Sequence, residues 1–147
     1  MRRVYDAVGG TGTLLRLAQA WHTRVMADEV VSHAFSHGFP PPHDERHAAY
    51  WAEALGGPTT YSETCGDESF VVRLHSGNGP HDDMDRRAVA CFDQALTDVG
   101  IDDADLRAAL HGYFAWATTR LSRYHRSADD VPDGMRLPHW SWDGPDV

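Results

Sequence analysis

The stretch from His43 to Pro58, His-Asp-Glu-Arg-His-Ala-Ala-Tyr-Trp-Ala-Glu-Ala-Leu-Gly-Gly-Pro, restricts the fold of this chain more than any other. At helical period His43, His47, Tyr50, Trp51, Ala54 and Leu55 fall on one side, at steps of three and four. Asp44, Glu45 and Glu53 fall mostly on the other side, where a solvated face is expected. Gly56-Gly57-Pro58 then stops the helix, because glycine supplies a left-handed cap and proline cannot continue the hydrogen-bond ladder. The helix therefore directs two imidazoles into an aromatic, largely dry interior. Any fold for this chain has to account for them.

The remaining chain has room for one core around that helix: 147 residues make a single domain of ordinary size. A formal net charge of -9 excludes nucleic acid and anionic membranes as natural partners. No apolar run is long enough to cross a bilayer, and Met1 to Tyr5 lacks the apolar core of a signal peptide. Cys65 and Cys91 are too few for a disulfide framework and read as plain thiols, so the expected location is a reducing cytoplasm. Ten histidines are the compositional oddity, and only their positions distinguish them.

Gly9-Gly10-Thr11-Gly12-Thr13 separates a short opening segment from a first long helix, with Thr11 or Thr13 as its N-cap. Leu14, Leu17, Ala18, Trp21, His22, Val25 and Met26 follow at helical spacing, which sets His22 on or beside the buried face. Val30, Val31, Ala34 and Phe35 continue the pattern to Gly38-Phe39-Pro40-Pro41-Pro42. Phe70 to Leu74 has strand propensity, but nothing else in the chain reads as sheet, so a short helix ending at His75 is expected. Asp82 to Val99 is strongly amphipathic, with Met84, Ala88, Cys91, Phe92, Ala95 and Leu96 inward and Gly100 as its cap. Asp102 or Asp103 begins a last helix whose stripe is Leu106, Leu110, Tyr113, Phe114, Ala117 and Leu121. From Ser127 the chain reads as loop, yet Leu137, Trp140 and Trp142 are large enough to fold back onto the body.

An all-helical chain of this size, with a histidine-bearing helix upstream of a lone histidine after an apolar turn, is globin-like. Three pieces sharpen the likeness: Tyr5-Asp6-Ala7-Val8-Gly9-Gly10, Gly56-Gly57-Pro58-Thr59-Thr60-Tyr61-Ser62-Glu63, and Arg73-Leu74-His75. In this order and spacing they resemble group II truncated haemoglobins, from Tyr5 to about Arg123. The resemblance implies an all-α, two-over-two helical sandwich over residues 1–126, with 127–147 as an ordered aromatic extension packing on it. It also implies a b-type haem with His75 as the proximal iron ligand, Phe35 packed over the porphyrin, and Arg46 and Tyr61 reaching the propionates. Arg73 and Leu74 belong to the same cofactor-binding segment. The chain departs from the family at several points. Trp21-His22 stands where an aromatic and a distal tyrosine are usual, and Ala88 replaces a tryptophan that donates to bound ligand. Leu74 takes the place of an arginine, with Arg73 displaced by one.

In exchange the distal helix offers His43 and His47, about 6 Å apart along the axis. Both cannot fill one open iron site, so one of them is the sixth ligand or hydrogen-bonds the iron-bound ligand, and the other stands behind it or at the propionate edge. His22 completes a polar distal cluster able to stabilise dioxygen or move protons in peroxide or nitrogen-oxide chemistry. The expected partner is a small diatomic ligand or small redox substrate, which leaves an oxidoreductase role and the oligomeric state, a dimer included, open. The competing reading is a non-haem metal enzyme using His22, His43 and His47 with a carboxylate, although Asp44 after His43 breaks the hydrolytic His-Glu-x-x-His pattern. A cofactor-free interaction protein is the third. His33, His37, His81, His111, His125 and His139 read as surface or structural.

Overall fold

The computed structural model describes residues 2–35, 43–77, 79 and 81–146. Its helices are α1 (Val4–Val8), α2 (Gly10–Met26), α3 (His43–Ala54), α4 (Thr60–Thr64), α5 (Glu68–Leu74), α6 (Asp82–Asp98) and α7 (Ala104–Leu121), with single 3-10 turns at Val31–Phe35 and Ala128–Asp130. The pair α2/α3 and the pair α6/α7 form the two layers, joined by packing of α2 on α6. The interface is aromatic: Phe92 of α6 stacks on Phe114 of α7 at 4.2 Å and 9°, and Trp51 of α3 meets both rings edge-on at 5.6 and 6.1 Å. Leu14, Leu17, Leu55, Leu96 and Leu110 fill the space around these rings and are almost wholly buried. The amphipathic stripes of α3, α6 and α7 thus face one another as their spacing requires.

Both Gly-Gly pairs mark the ends of helices. Gly9 and Gly10 have φ of 103° and 81°, and they turn the chain straight from α1 into α2. This overturns the expected threonine cap: α2 already begins at Gly10, so Thr11 and Thr13 lie in its first turn. Thr11 instead bonds the Tyr5 hydroxyl at 2.9 Å. At the second pair Gly56 has φ of 98°, while Gly57 is needed for space, since a Cβ there would stand 2.4 Å from the Tyr5 ring and 2.8 Å from the Ala52 carbonyl oxygen. Tyr5 N–H donates to Leu55 O at 3.1 Å, so α1 is clamped to the end of α3.

Other expectations need correction. The helix bearing His22 does not run through to Phe35: it stops at Met26, itself 45% exposed, because Asp28 Oδ1 accepts from Val30 and Val31 N–H and starts a separate turn. The Gly38–Pro42 loop lies outside the described residues. Glu53 is buried rather than solvated, since its Oε1 accepts the Ser62 N–H at 2.9 Å and satisfies a donor in the first turn of α4. Asp103 caps α7 by accepting from Leu106 N–H. The chain is not free of sheet, because β1 (His139–Ser141) and β2 (Gly144–Asp146) form a small antiparallel hairpin.

That hairpin ends an ordered tail. Leu137 is buried, Trp140 packs against Trp116 and Tyr113 at 5.4 and 6.1 Å, and Trp142 Nε1 donates to Arg2 O at 2.6 Å. The tail also grips α5. Glu68 N–H donates to Met135 O, Ser69 Oγ donates to Pro132 O at 2.6 Å and accepts from Met135 N–H at 2.9 Å, and Arg73 binds Val131 O and the Asp133 carboxylate. Beneath the grip Glu68 is fully buried, its Oε1 accepting a hydrogen bond from the Tyr50 hydroxyl at 2.7 Å, with Arg120 Nε 3.5 Å from Oε2. Among the described residues no helix is long and apolar enough to cross a membrane.

Candidate functional site

Two groups of imidazoles are set by the fold, one on α2 and α3 and one at the end of α5. His22 projects from α2 where the stripe Leu14, Leu17, Ala18, Trp21, Val25 meets α3. Its Nδ1 lies 3.1 Å from Asp44 Oδ1, with both side chains about one-fifth exposed. Asp44 is therefore no surface carboxylate, contrary to its place on the helical wheel. It stands in the first turn of α3, where a short side chain can fold back toward α2. His43 Nδ1 lies 3.5 Å from the same Oδ1. The His22 and His43 rings are 5.8 Å apart, and Phe35 meets them at 6.3 and 5.6 Å.

One turn along α3, His47 turns away from this carboxylate. Its ring lies 4.1 Å from the Trp51 ring, 5.1 Å from Trp21 and 5.6 Å from His43. Its Nδ1 is buried and finds no hydrogen-bond partner among the described residues. Burial, then the neighbouring charges of His43, His75 and His22, hold its pKa well below the ordinary imidazole value, so His47 is neutral at physiological pH. His43 is lowered too, chiefly by desolvation and against the pull of Asp44. Trp21 fixes the wall of this region by donating its indole N–H to Ala88 O at 3.0 Å, where α2 crosses α6.

His75 is the C-cap residue of α5, directly after the exposed Leu74. Its Nδ1 is 2.8 Å from Val71 O. A carbonyl only accepts, so Nδ1 carries the proton and the lone pair resides on Nε2. The residue as a whole is exposed, but the packed side of its ring is desolvated, and this lowers its pKa despite the Val71 bond. His75 lowers the pKa of His47, and His43 lowers that of His75, by repulsion between like charges, so the imidazole at the end of α5 lies within electrostatic range of those on α3.

The other expected site residues divide. Tyr61 is buried edge-on to Tyr50 at 5.3 Å, and burial pushes its phenol up to about 12, with exposed Arg46 near enough to oppose that rise. Arg73 is drawn into the tail grip, away from the distal imidazoles. Among the described residues the group spaced to hold a metal ion is His22, His43 and Asp44, whose ligand atoms all lie within 4.8 Å of one another. His47 is not in it. Asp44 lies on the polar side of the α3 wheel, and the signal for its role is its position in a helical first turn next to a histidine. Of the histidines read as surface or structural, His81 and His111 bind Asp85 and Asp93 at 3.0 and 2.8 Å.

The chain aligns with a thermostable haemoglobin of the actinobacterium Thermobifida fusca at 28% identity and a TM-score of 0.70, covering 83% of this chain and 98% of that one. A haemoglobin of Chloroflexus aurantiacus aligns at 24% identity and TM-score 0.67, covering 82% and 98%. The group II truncated haemoglobin of Bacillus anthracis aligns at 18% and 0.69, covering 85% and 94%; at these lower identities the likeness is one of fold. A search of curated protein sequences gives no significant match. The bacterial-like globin family matches residues 3–119, nearly all of the helical body. The chain belongs to the bacterial-like globin family, and its architecture is that of the truncated haemoglobins.

Proposed function

We propose that this globin holds a b-type haem through His75 and binds dioxygen or another small ligand on the side lined by His43, His47 and His22. The observation that carries the reading is the His75 Nδ1–Val71 O bond at 2.8 Å. It fixes the tautomer and orients the ring so that Nε2 can ligate iron, as a carbonyl partner does for metal-bound imidazoles. The orphaned Nδ1 of His47 supports it from the other side, because a buried nitrogen without a protein partner is costly unless a ligand or cofactor group meets it. When bound, the haem supplies the open iron coordination site and its redox range. The protein's own residues do the rest. His47, kept neutral, donates to or ligates at that site, and His43 is the second candidate for the sixth position. Phe35 packs on the porphyrin, Leu74 flanks it, and Arg46 with Tyr61 meets the propionates. Arg73 sets the height of α5 through the tail. His22, paired with Asp44, supplies and returns protons for peroxide or nitrogen-oxide chemistry. Residues 1–126 form the globin domain and 127–147 an extension packed on it, in a cytoplasmic protein whose two cysteines are both free thiols.

Reconstitution with haemin tests this. The protein is expected to show a Soret band and a pyridine haemochrome of the b type, and a low-spin ferric spectrum without added ligand if His43 or His47 fills the sixth site. His75→Gly should lose most haem affinity and regain it with added imidazole. Full haem retention and an unchanged iron spectrum in that variant would remove the axial assignment.

A further inference from the structure

We propose that His22, His43 and Asp44 form a second metal site, separate from His75 and His47, for a divalent first-row ion such as zinc or iron(II). Two imidazole nitrogens converge on one carboxylate oxygen, at 3.1 and 3.5 Å. With metal–ligand bonds of about 2.1 Å, donors at a right angle lie about 3.0 Å apart and donors at the tetrahedral angle about 3.4 Å. The two spacings are therefore those of neighbouring corners of one coordination polyhedron. The third spacing, between the two imidazoles, lies within 4.8 Å, so one ring has to move toward the other as the ion binds. The donors come from two helices, α2 and α3, so tertiary packing and not local sequence sets their spacing. Each of the three side chains is half-buried. Two imidazoles and one carboxylate suit zinc, iron(II) and cobalt(II), and they are too hard a set for copper(I).

The same carboxylate oxygen serves as hydrogen-bond acceptor for His22 while no ion is bound. When the ion binds, the His22 Nδ1 proton moves to Nε2, the freed Nδ1 lone pair goes to the ion, and the carboxylate oxygen changes from acceptor to ligand. With this ion bound His43 is engaged by it, which leaves His47, packed on Trp51, as the imidazole that faces the haem. Only that last assignment rests on the haem reading; the site itself does not.

Cobalt(II) is the probe, titrated into the protein with and without haem, because its d–d bands report coordination directly. One equivalent is expected to bind saturably in both forms. Asp44→Asn and His22→Gln should each weaken binding by about 100-fold, and Asp44→Glu should recover part of it. His111→Gln, which removes an exposed histidine–aspartate pair, should leave the titration unchanged. Circular dichroism establishes that each variant is folded, and the two independent ligand variants guard against one of them failing to fold. Absence of saturable d–d bands, or wild-type cobalt affinity in Asp44→Asn and His22→Gln, would overturn the site. The Soret band of the same samples reads the haem proposal separately, so either can fail alone.

Discussion

A neutral His47 makes a quantitative demand on stability below neutral pH. In the unfolded chain its imidazole titrates near its ordinary value of about 6.5, whereas in the fold burial against Trp51 and Trp21 and the nearby His43, His75 and His22 hold it well below. The folded pKa is depressed, so the contribution is fully present above pH 6.5 and is lost as pH falls toward the folded value, because only the unfolded state then takes up the proton. The cost from this one group is at most about 1.4 kcal/mol at pH 5.5 and about 2 kcal/mol at pH 5.0. Depressed carboxylates such as Asp28, held down by the Val30 and Val31 amides, titrate below this window and do not confuse it. His43 adds a smaller effect of the same sign. Replacing His47 with leucine removes one titrating group from the dry side of α3 at similar volume. Urea unfolding of the haem-free protein, followed by tryptophan fluorescence at pH 7.5 and 5.5, should show the wild type losing about 1 kcal/mol more than His47→Leu across that interval. Equal losses in the two proteins would mean that His47 protonates freely in the fold, and the dry environment assigned to it would be wrong.

Gly57→Ala should cost about 1–3 kcal/mol, a Tm loss of roughly 2–4 °C per kcal/mol, because the new Cβ overlaps both the Tyr5 ring and the Ala52 carbonyl. In a double-mutant cycle with Tyr5→Ala the ring part of the penalty should vanish, a coupling of at least about 1 kcal/mol, and strict additivity would count against this packing. Ser69→Ala leaves Pro132 O and Met135 N–H without their shared hydroxyl, so stability should fall by about 2–3 kcal/mol. Limited proteolysis should then cut first between Ser127 and Leu137, and an unchanged cleavage pattern would show that the tail is held elsewhere.

Much of the architecture was legible because helix stripes and helix stops are local. The Gly-Gly pairs, the Asp103 cap and the apolar faces of α6 and α7 follow from spacing and backbone conformation alone. Phe70–Leu74 became a helix despite its strand propensity because no partner strand adjoins it. The misses share another cause. Asp44 and Glu53 lie on the polar side of the α3 wheel, but a wheel knows nothing of the donors that other elements bring: the His22 ring in one case, the Ser62 amide in the other. The hairpin carried a signal that went unread, since Asp143-Gly144 after Trp142 is turn chemistry and Gly144 has φ of 106°. Placing His47 apart from His22 and His43 required side-chain directions that periodicity cannot supply.

The grip of the tail on α5 has a mechanical consequence. Glu68 and Ser69 are pinned at one end of a two-turn rod, Arg73 is tied near the other, and the imidazole of His75 hangs from its tip. Residues 131–135 therefore act as the fulcrum of that rod. A displacement of residues 131–135 would tilt the ring at the tip without touching it, so this segment becomes a handle on the His75 imidazole.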